Sequence, residues 1–381
     1  MNDYFEAAVK LHQYTVTQHW DGQALVGPDP GIRFNYRIGR FVKNYARIGF
    51  KDDTLYYVQA QGYWVLANWR LFDLTGDMTY QDIAVRCSHT LLDSQRADGA
   101  WEYPNPEWKG RIATAEGTWG SLALLESFRR TQEQAFLDGV LAWYHFLIVS
   151  IGFQQVDETT AVNYFAHQHG ERVPNNSAIV LRFLALLGDT TGDLDFLQQC
   201  SGLVRFLIDV QKPSGELPYM VSTSTEKPGR VHFQCFQYNA FQCLDLLRYY
   251  ELTKDRASLP ILDGLLHFLP TGIGQDGHAF YDCGNRHRSV VYHSAALAAA
   301  LLKGYRLGFT TDSQRGIQAY EYVLRSQRPD GGFPYSSGDY RVLKDQRSYP
   351  RYLAMILVHL LEAQELRPIS RERVRPLGDS G

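Results

Sequence analysis

The chain has 381 residues, a net charge of −3, and 45% hydrophobic against 21% charged residues. That is the balance of a folded globular protein, with no basic surplus to draw it to nucleic acid or to an anionic membrane surface. Aromatic residues reach 13%, and the five cysteines include no Cys-x-x-Cys pair, which argues against a disulfide framework and for a reducing compartment.

The first twenty residues are polar and acidic, without the apolar stretch of a secretory leader. No run of apolar residues is long enough for a membrane span; 136–153 comes nearest, but Asp138, His145 and Ser150 interrupt it, and it reads as a buried helix. A cytoplasmic protein is the expectation. Helical periodicity dominates the chain. A first helix covers 4–18. The run 56–74 stops at Thr75-Gly76-Asp77 and 80–92 follows at once, the Gly and Asp supplying a stop and the next cap. The same two-stroke pattern returns as 118–128 with 135–148, 177–187 with 194–210, 236–252 with 259–269, and 291–305 with 314–326. The last run, 352–363, has no following partner, a place the N-terminal helix can fill.

The loops repeat as well. After the second helix of a pair stands a Gln, then a Gly-containing turn, then aromatics: Gln95 to Gly99 and Trp101, Gln211 to Gly215 and Tyr219, Gln275 to Gly277 and Phe280, Gln327 to Gly331 and Phe333. A degenerate copy stands at Phe153-Gln154-Gln155. A period of about 50–60 residues is one helical hairpin plus a long loop. Such repeats either run open or close into a ring, and about six pairs with an orphan helix at each end favour closure. One domain, 1–366, is expected, followed by a disordered basic tail, 367–381.

These Gln-x-x-Asp-Gly-x-(Trp/Phe) loops resemble those of the α/α-toroid superfamily, the six-hairpin group that includes terpene cyclases, protein prenyltransferase β subunits and many carbohydrate-active enzymes. Gln59-Ala60-Gln61-Gly62 followed by Trp69-Arg70 and Thr75-Gly76-Asp77 looks like the first repeat of uronyl C5-epimerase domains, and of toroid proteins encoded in exopolysaccharide clusters. Tyr281-Asp282, then Tyr292-His293, resembles a second pattern of those domains. The resemblance implies an all-α (α/α)6 toroid with long aromatic loops at one end. It also implies a carbohydrate-active protein of polysaccharide biosynthesis or modification, most concretely an epimerase or lyase acting at C5 of a uronic acid. Its substrate would be an oligo- or polysaccharide, and polysaccharide-assembly machinery a partner.

In a toroid the first helices of the pairs line the inside and their N-terminal ends surround one mouth. That gathers Gln61, Glu116, Asn175, Asn176, Tyr238, Asn239, Tyr292, His293 and Arg351, with Trp101, Tyr103, Trp108, Tyr219, Phe280, Tyr335 and Tyr340 as a rim. Proton transfer at C5 needs a base, an acid on the other face and a group that neutralises the carboxylate. Tyr292, His293, Tyr238 and Glu116 are the candidates for proton transfer. Asn175, Asn176, Arg286, Arg288 and Arg351 are the candidates for the carboxylate, since Arg presents a fork that fits it. His167 with Asn175 and Asn176 could complete a lyase-like site. Glycoside hydrolysis would need two facing carboxylates, best supplied by Glu116 and Asp282. No cofactor is expected. A zinc trio of Asp282, Cys283 and His293 resembles the prenyltransferase set, but adjacent residues of an extended loop point to opposite sides. The acidic motif of protonation-initiated terpene cyclases is absent, since Asp52-Asp53 and Asp193-Leu-Asp195 do not match it. An isoprenoid toroid enzyme and a non-catalytic glycan-binding or scaffold toroid remain as alternative readings.

Overall fold

The computed structural model describes residues 3–29, 54–104, 108, 110–221, 230–231, 234–339 and 343–363. The 367–381 tail, Tyr340 and Asp52-Asp53 lie outside the described residues. The described chain is mostly helical. It contains α1 (Asp3–His19), α2 (Val58–Thr75), α3 (Met78–Asp93), α4 (Thr114–Thr131), α5 (Gln134–Phe146), α6 (Pro174–Thr191), α7 (Cys200–Val210), α8 (Cys235–Thr253), α9 (Leu259–Phe268), α10 (Val291–Arg306), α11 (Gln314–Ser326) and α12 (Pro350–Glu362).

The helices fall where the periodicity predicts, with two differences. The 194–210 run is broken, because Asp193 caps a short 3-10 turn by accepting the Asp195 N–H at 2.9 Å, and α7 begins only at Cys200. The 135–148 run continues past α5 through a π turn, Leu147–Ile151, which stops at Gly152. By length and composition alone, Gln134–Ile151 could cross a membrane. It is not the buried helix expected, since only 39% of it is buried and Val149 is exposed.

Helix α2 packs on α4, α4 on α6, α6 on α8, α8 on α10, α10 on α12, and α12 returns to α2. This circuit is an inner layer. Outside it α3, α5, α7, α9 and α11 each pack on the inner helix that precedes them, and α1 packs on α12, the place left open at the end of the chain. The two layers differ in sequence because they differ in surroundings. Every residue of α10 from Val291 to Gly304 is buried, so its apolar residues show no stripe. Outer α11 buries only Gly316, Ala319, Tyr320 and Val323, a single stripe at helical spacing.

At three steps the repeated Gln and Gly fasten an outer helix to the next. Gln95 Nε2 donates to the Gly99 carbonyl at 2.8 Å and to the Gly139 carbonyl of α5 at 2.9 Å. Gln211 does the same with Gly215 at 2.8 Å and Ile261 of α9 at 3.0 Å. Gln327 joins Gly331 to Ala7 of α1, both at 2.9 Å, and so ties the end of the circuit to its beginning. Each of these glycines has a left-handed backbone, and a Cβ on Gly215 would stand 1.9 Å from the Gly264 carbonyl oxygen. The copy at 153–155 plays no such part. It forms strand β1 (Phe153–Val156), paired antiparallel with β2 (Thr159–Val162). Two further hairpins, β3 (Met220–Val221) with β4 (Arg230–Val231) and β5 (Ser336–Asp339) with β6 (Leu343–Asp345), also lie in the long loops that lead to inner helices. The periodicity reading did not anticipate these hairpins.

Candidate functional site

The inner helices run in the same direction, so their last turns meet at one end and their first turns at the other. At the C-terminal end a cavity of about 440 Å³ is lined by Arg70, Arg182, Arg248, Glu126, Glu251 and Glu362, among others. Basic side chains suit the negative ends of helix dipoles, and these are met by acids: Arg182 with Asp245 at 3.1 Å, Lys303 with Glu251 at 2.6 Å, Arg248 with Glu362 at 3.5 Å. The charges of this cavity are engaged in holding helix ends together.

The N-terminal end gathers buried ionisable and aromatic side chains. Glu116 lies in the first turn of α4, 2% exposed. Its Oε2 accepts the Gln59 backbone N–H at 2.9 Å, one of the amides that the start of α2 leaves without a helical partner. Burial pushes its carboxyl up, and the nearby Arg351 guanidinium pulls part of that back, leaving it at about 7. Arg351 opens α12 and is clamped by Asp29, with Nε to Oδ2 at 2.8 Å and Nη2 to Oδ1 at 2.9 Å. The guanidinium lies 4.4 Å from the Tyr57 ring centre and 4.8 Å from that of Tyr352, whose hydroxyl it also meets at 2.7 Å.

Tyrosines form the wall around this pair. Tyr57 meets Tyr103 edge-on, with centroids 5.8 Å apart, and Tyr292 stacks on Tyr352 at 4.2 Å and faces Tyr335 at 6.4 Å. Tyr219 lies 4.9 Å from Tyr238 and hydrogen-bonds both Tyr238 and Tyr164. Burial raises the hydroxyls of Tyr57, Tyr103, Tyr238, Tyr292 and Tyr352, so all are protonated near neutral pH. They offer O–H donors and apolar faces, not phenolate bases. The converging first turns of the inner helices add a positive potential.

Glu116, Arg351, Tyr103, Tyr238, Tyr292 and Tyr335 are thus brought to one end, as expected. Other candidates have structural work. Gln61 bonds both backbone groups of Leu25 at 2.8 Å, and Asn239 bonds both of Leu217, at 2.7 and 2.9 Å. Trp101, expected at the rim, is buried under α3 with its indole N–H on the Leu91 carbonyl. His293 is fully buried between Tyr281 and Tyr292, and burial lowers it to about 3, which keeps it neutral. His167 is exposed on a left-handed turn. Asn175 is half-buried in the first turn of α6; Asn176 beside it is buried, and its Nδ2 has no hydrogen-bond partner among the described residues. Arg286 and Arg288 lie over Phe280 and Tyr281, at 5.3 and 4.0 Å.

Asp282 Oδ1 accepts the N–H groups of Gly284 and Asn285 at 2.8 and 2.7 Å, capping its own turn. The trio Asp282, Cys283 and His293 does not converge. Among the described residues, the metal-donor group that does is Glu216, Cys235 and Cys283. Three residues of the mouth escaped the sequence reading: Asp29, Tyr57 and Tyr352. Tyr57 and Tyr352 stand beside helix starts already chosen and could have been found there. Asp29 stands 322 positions from Arg351, and no local pattern joins them.

No family model matches the chain, and no curated protein matches it in sequence. Solved structures do match in shape. A cellobiose 2-epimerase from Bacillus thermoamylovorans superposes with a TM-score of 0.72 over 94% of this chain and 99% of its own, at 15% identity. A sugar epimerase from a ruminal bacterium gives 0.72 over 94% and 98%, at 10% identity. A family 76 glycoside hydrolase from Bacteroides thetaiotaomicron gives 0.68 over 96% and 78%, at 13% identity. The fold is an α/α toroid. At these identities the likeness is one of architecture, and the chemistry of the toroid's mouth must be argued from its own residues.

Proposed function

We propose that this toroid, read as six helical hairpins, is a saccharide-processing enzyme that moves a proton at the sugar ring, most concretely an epimerase or lyase acting at C5 of a uronic acid. The observation that carries the reading is Glu116, a buried carboxyl raised to about 7 at the tyrosine-rich end where the inner helices begin. A group with that value is divided between its two forms near neutral pH, so it can accept a proton from carbon and return it. Several of the solved neighbours are named as sugar epimerases or isomerases, which fits this class of chemistry.

The roles divide as follows. Sugar faces stack on tyrosine rings, and hydroxyls meet protonated tyrosine O–H groups. The helix N-termini and Arg351 favour a carboxylate, and stabilise negative charge as the C5 proton leaves. Glu116 takes that proton. For epimerisation a buried tyrosine such as Tyr292 or Tyr352 delivers a proton to the opposite face. For elimination the proton goes instead to the departing glycosidic oxygen at C4. Action on polymer or precursor within the cytoplasm belongs to the same proposal.

The test is proton exchange in deuterated water, using oligosaccharides of uronic acids and following the C5 hydrogen by NMR. Exchange that Glu116→Gln abolishes supports the reading; no exchange with any uronate, while neutral sugars bind, refutes it. A second reading rests on Asp29, a buried carboxylate on the other side of Arg351 that raises Glu116. With Glu116 as acid and Asp29 as its partner the same mouth would hydrolyse a glycosidic bond. Cleavage products whose new non-reducing ends carry no C4–C5 double bond would decide for hydrolysis.

A further inference from the structure

We infer that Glu216, Cys235 and Cys283 form a binding site for a thiophilic divalent cation of the zinc class. The three ligand atoms lie within 4.8 Å of one another, on segments remote in sequence. Glu216 follows the Gly215 turn, Cys235 is the first residue of α8, and Cys283 stands on the turn capped by Asp282. Folding, not local sequence, brings them together. None of the mouth residues assigned above uses them.

The donor set is specific. Two thiolates select soft or borderline metals, and a carboxylate completes a set that zinc accepts. Glu216 and Cys235 are buried, while Cys283 is exposed, so an ion has a path in. Cys235 Sγ accepts the Cys283 N–H at 2.9 Å, an amide contact of the kind that supports a thiolate ligand. Lys212 meets Glu216 at 3.3 Å and orients it. The two sulfurs touch at 2.6 Å. A tetrahedral zinc with bonds of about 2.3 Å sets them about 3.8 Å apart, so Cys283, on its exposed turn, moves outward by about 1 Å when the ion enters. Three protein ligands leave one coordination position for water or a substrate oxygen. Tyr238 lies one turn further along α8, and Tyr219 three residues after Glu216, so the ion would pin this edge of the mouth. Binding replaces two S–H bonds with two S–metal bonds and releases both protons, so affinity rises with pH.

The experiment uses the full chain, reduced and stripped of metal by a chelator, and titrates it with cobalt(II) as a visible stand-in. The expected result is a thiolate-to-cobalt charge-transfer band that saturates at one ion per chain and is displaced by zinc. Cys283→Ser should weaken binding by about 100-fold and diminish the band, and Glu216→Gln by about 10-fold with the band kept. Cys283 is exposed, so its variant should fold, and its melting temperature without metal should match wild type. No band, or a band unchanged in Cys283→Ser, overturns the proposal. So does an isolated protein two hydrogens lighter than its reduced form that takes up no metal after reduction, since the pair is then a dithiol–disulfide couple. None of these outcomes depends on sugar chemistry.

Discussion

Replacing Glu116 by Gln should remove activity and, above neutral pH, make the protein more stable. The wild-type carboxyl rises from 4.5 to about 7 on folding, chiefly through burial. At about 1.4 kcal/mol for each tenfold change in the equilibrium, that is about 3 kcal/mol. The sign follows from proton counting. Below pH 4.5 the group is neutral folded and unfolded, and its contribution is fully present. Between 4.5 and about 7 the native state holds a proton that the unfolded chain has released, so stability falls as pH rises. Above that window the native state contains a buried carboxylate. Gln keeps an oxygen for the Gln59 N–H and never ionises. Urea unfolding of wild type and variant at pH 4.5, 6 and 8 isolates this group, since other titrations cancel in the difference. The variant should gain about 3 kcal/mol on wild type between the lowest and highest pH. A difference that stays flat across the series would refute the assignment of a raised carboxyl, and with it the basis for choosing Glu116 as the proton carrier.

Arg351→Ala should cost about 3–5 kcal/mol, because Asp29 is left buried without its cation. It should also move the Glu116 limb of the pH–rate profile upward, since Arg351 pulls that carboxyl down. Gly215→Ala should destabilise by about 3 kcal/mol or more, because the added Cβ meets the Gly264 carbonyl. Gly76→Ala, also left-handed but with open space around it, should cost only about 1 kcal/mol, and equal losses in thermal melts would refute the close-approach argument. Gln327→Ala should lose about 1–3 kcal/mol in urea unfolding, and hydrogen exchange should rise in α1, the helix it ties down.

Much of this architecture was legible in the sequence. Helical periodicity and Gly-Asp punctuation located every described helix, because helix formation and capping are decided by residues a few positions apart. The Gln and Gly of the loops were visible as a repeat, and Glu116, Tyr238, Tyr292 and Arg351 were visible as polar and aromatic residues at helix starts. What those features do was decided in three dimensions. Gln61 was legible as a polar residue at a helix start, yet it holds the Leu25 backbone, and Gln327, legible in the loop repeat, ties the last loop to the first helix. His293 has the composition of a base, but burial among rings, with the Arg288 charge nearby, keeps it neutral. Asp29 meets Arg351, and Glu216 meets Cys235 and Cys283, only because a ring returns distant segments to one another. Local rules act over a helical turn, while burial and charge pairing, which set the value of Glu116, exist only once the ring has closed.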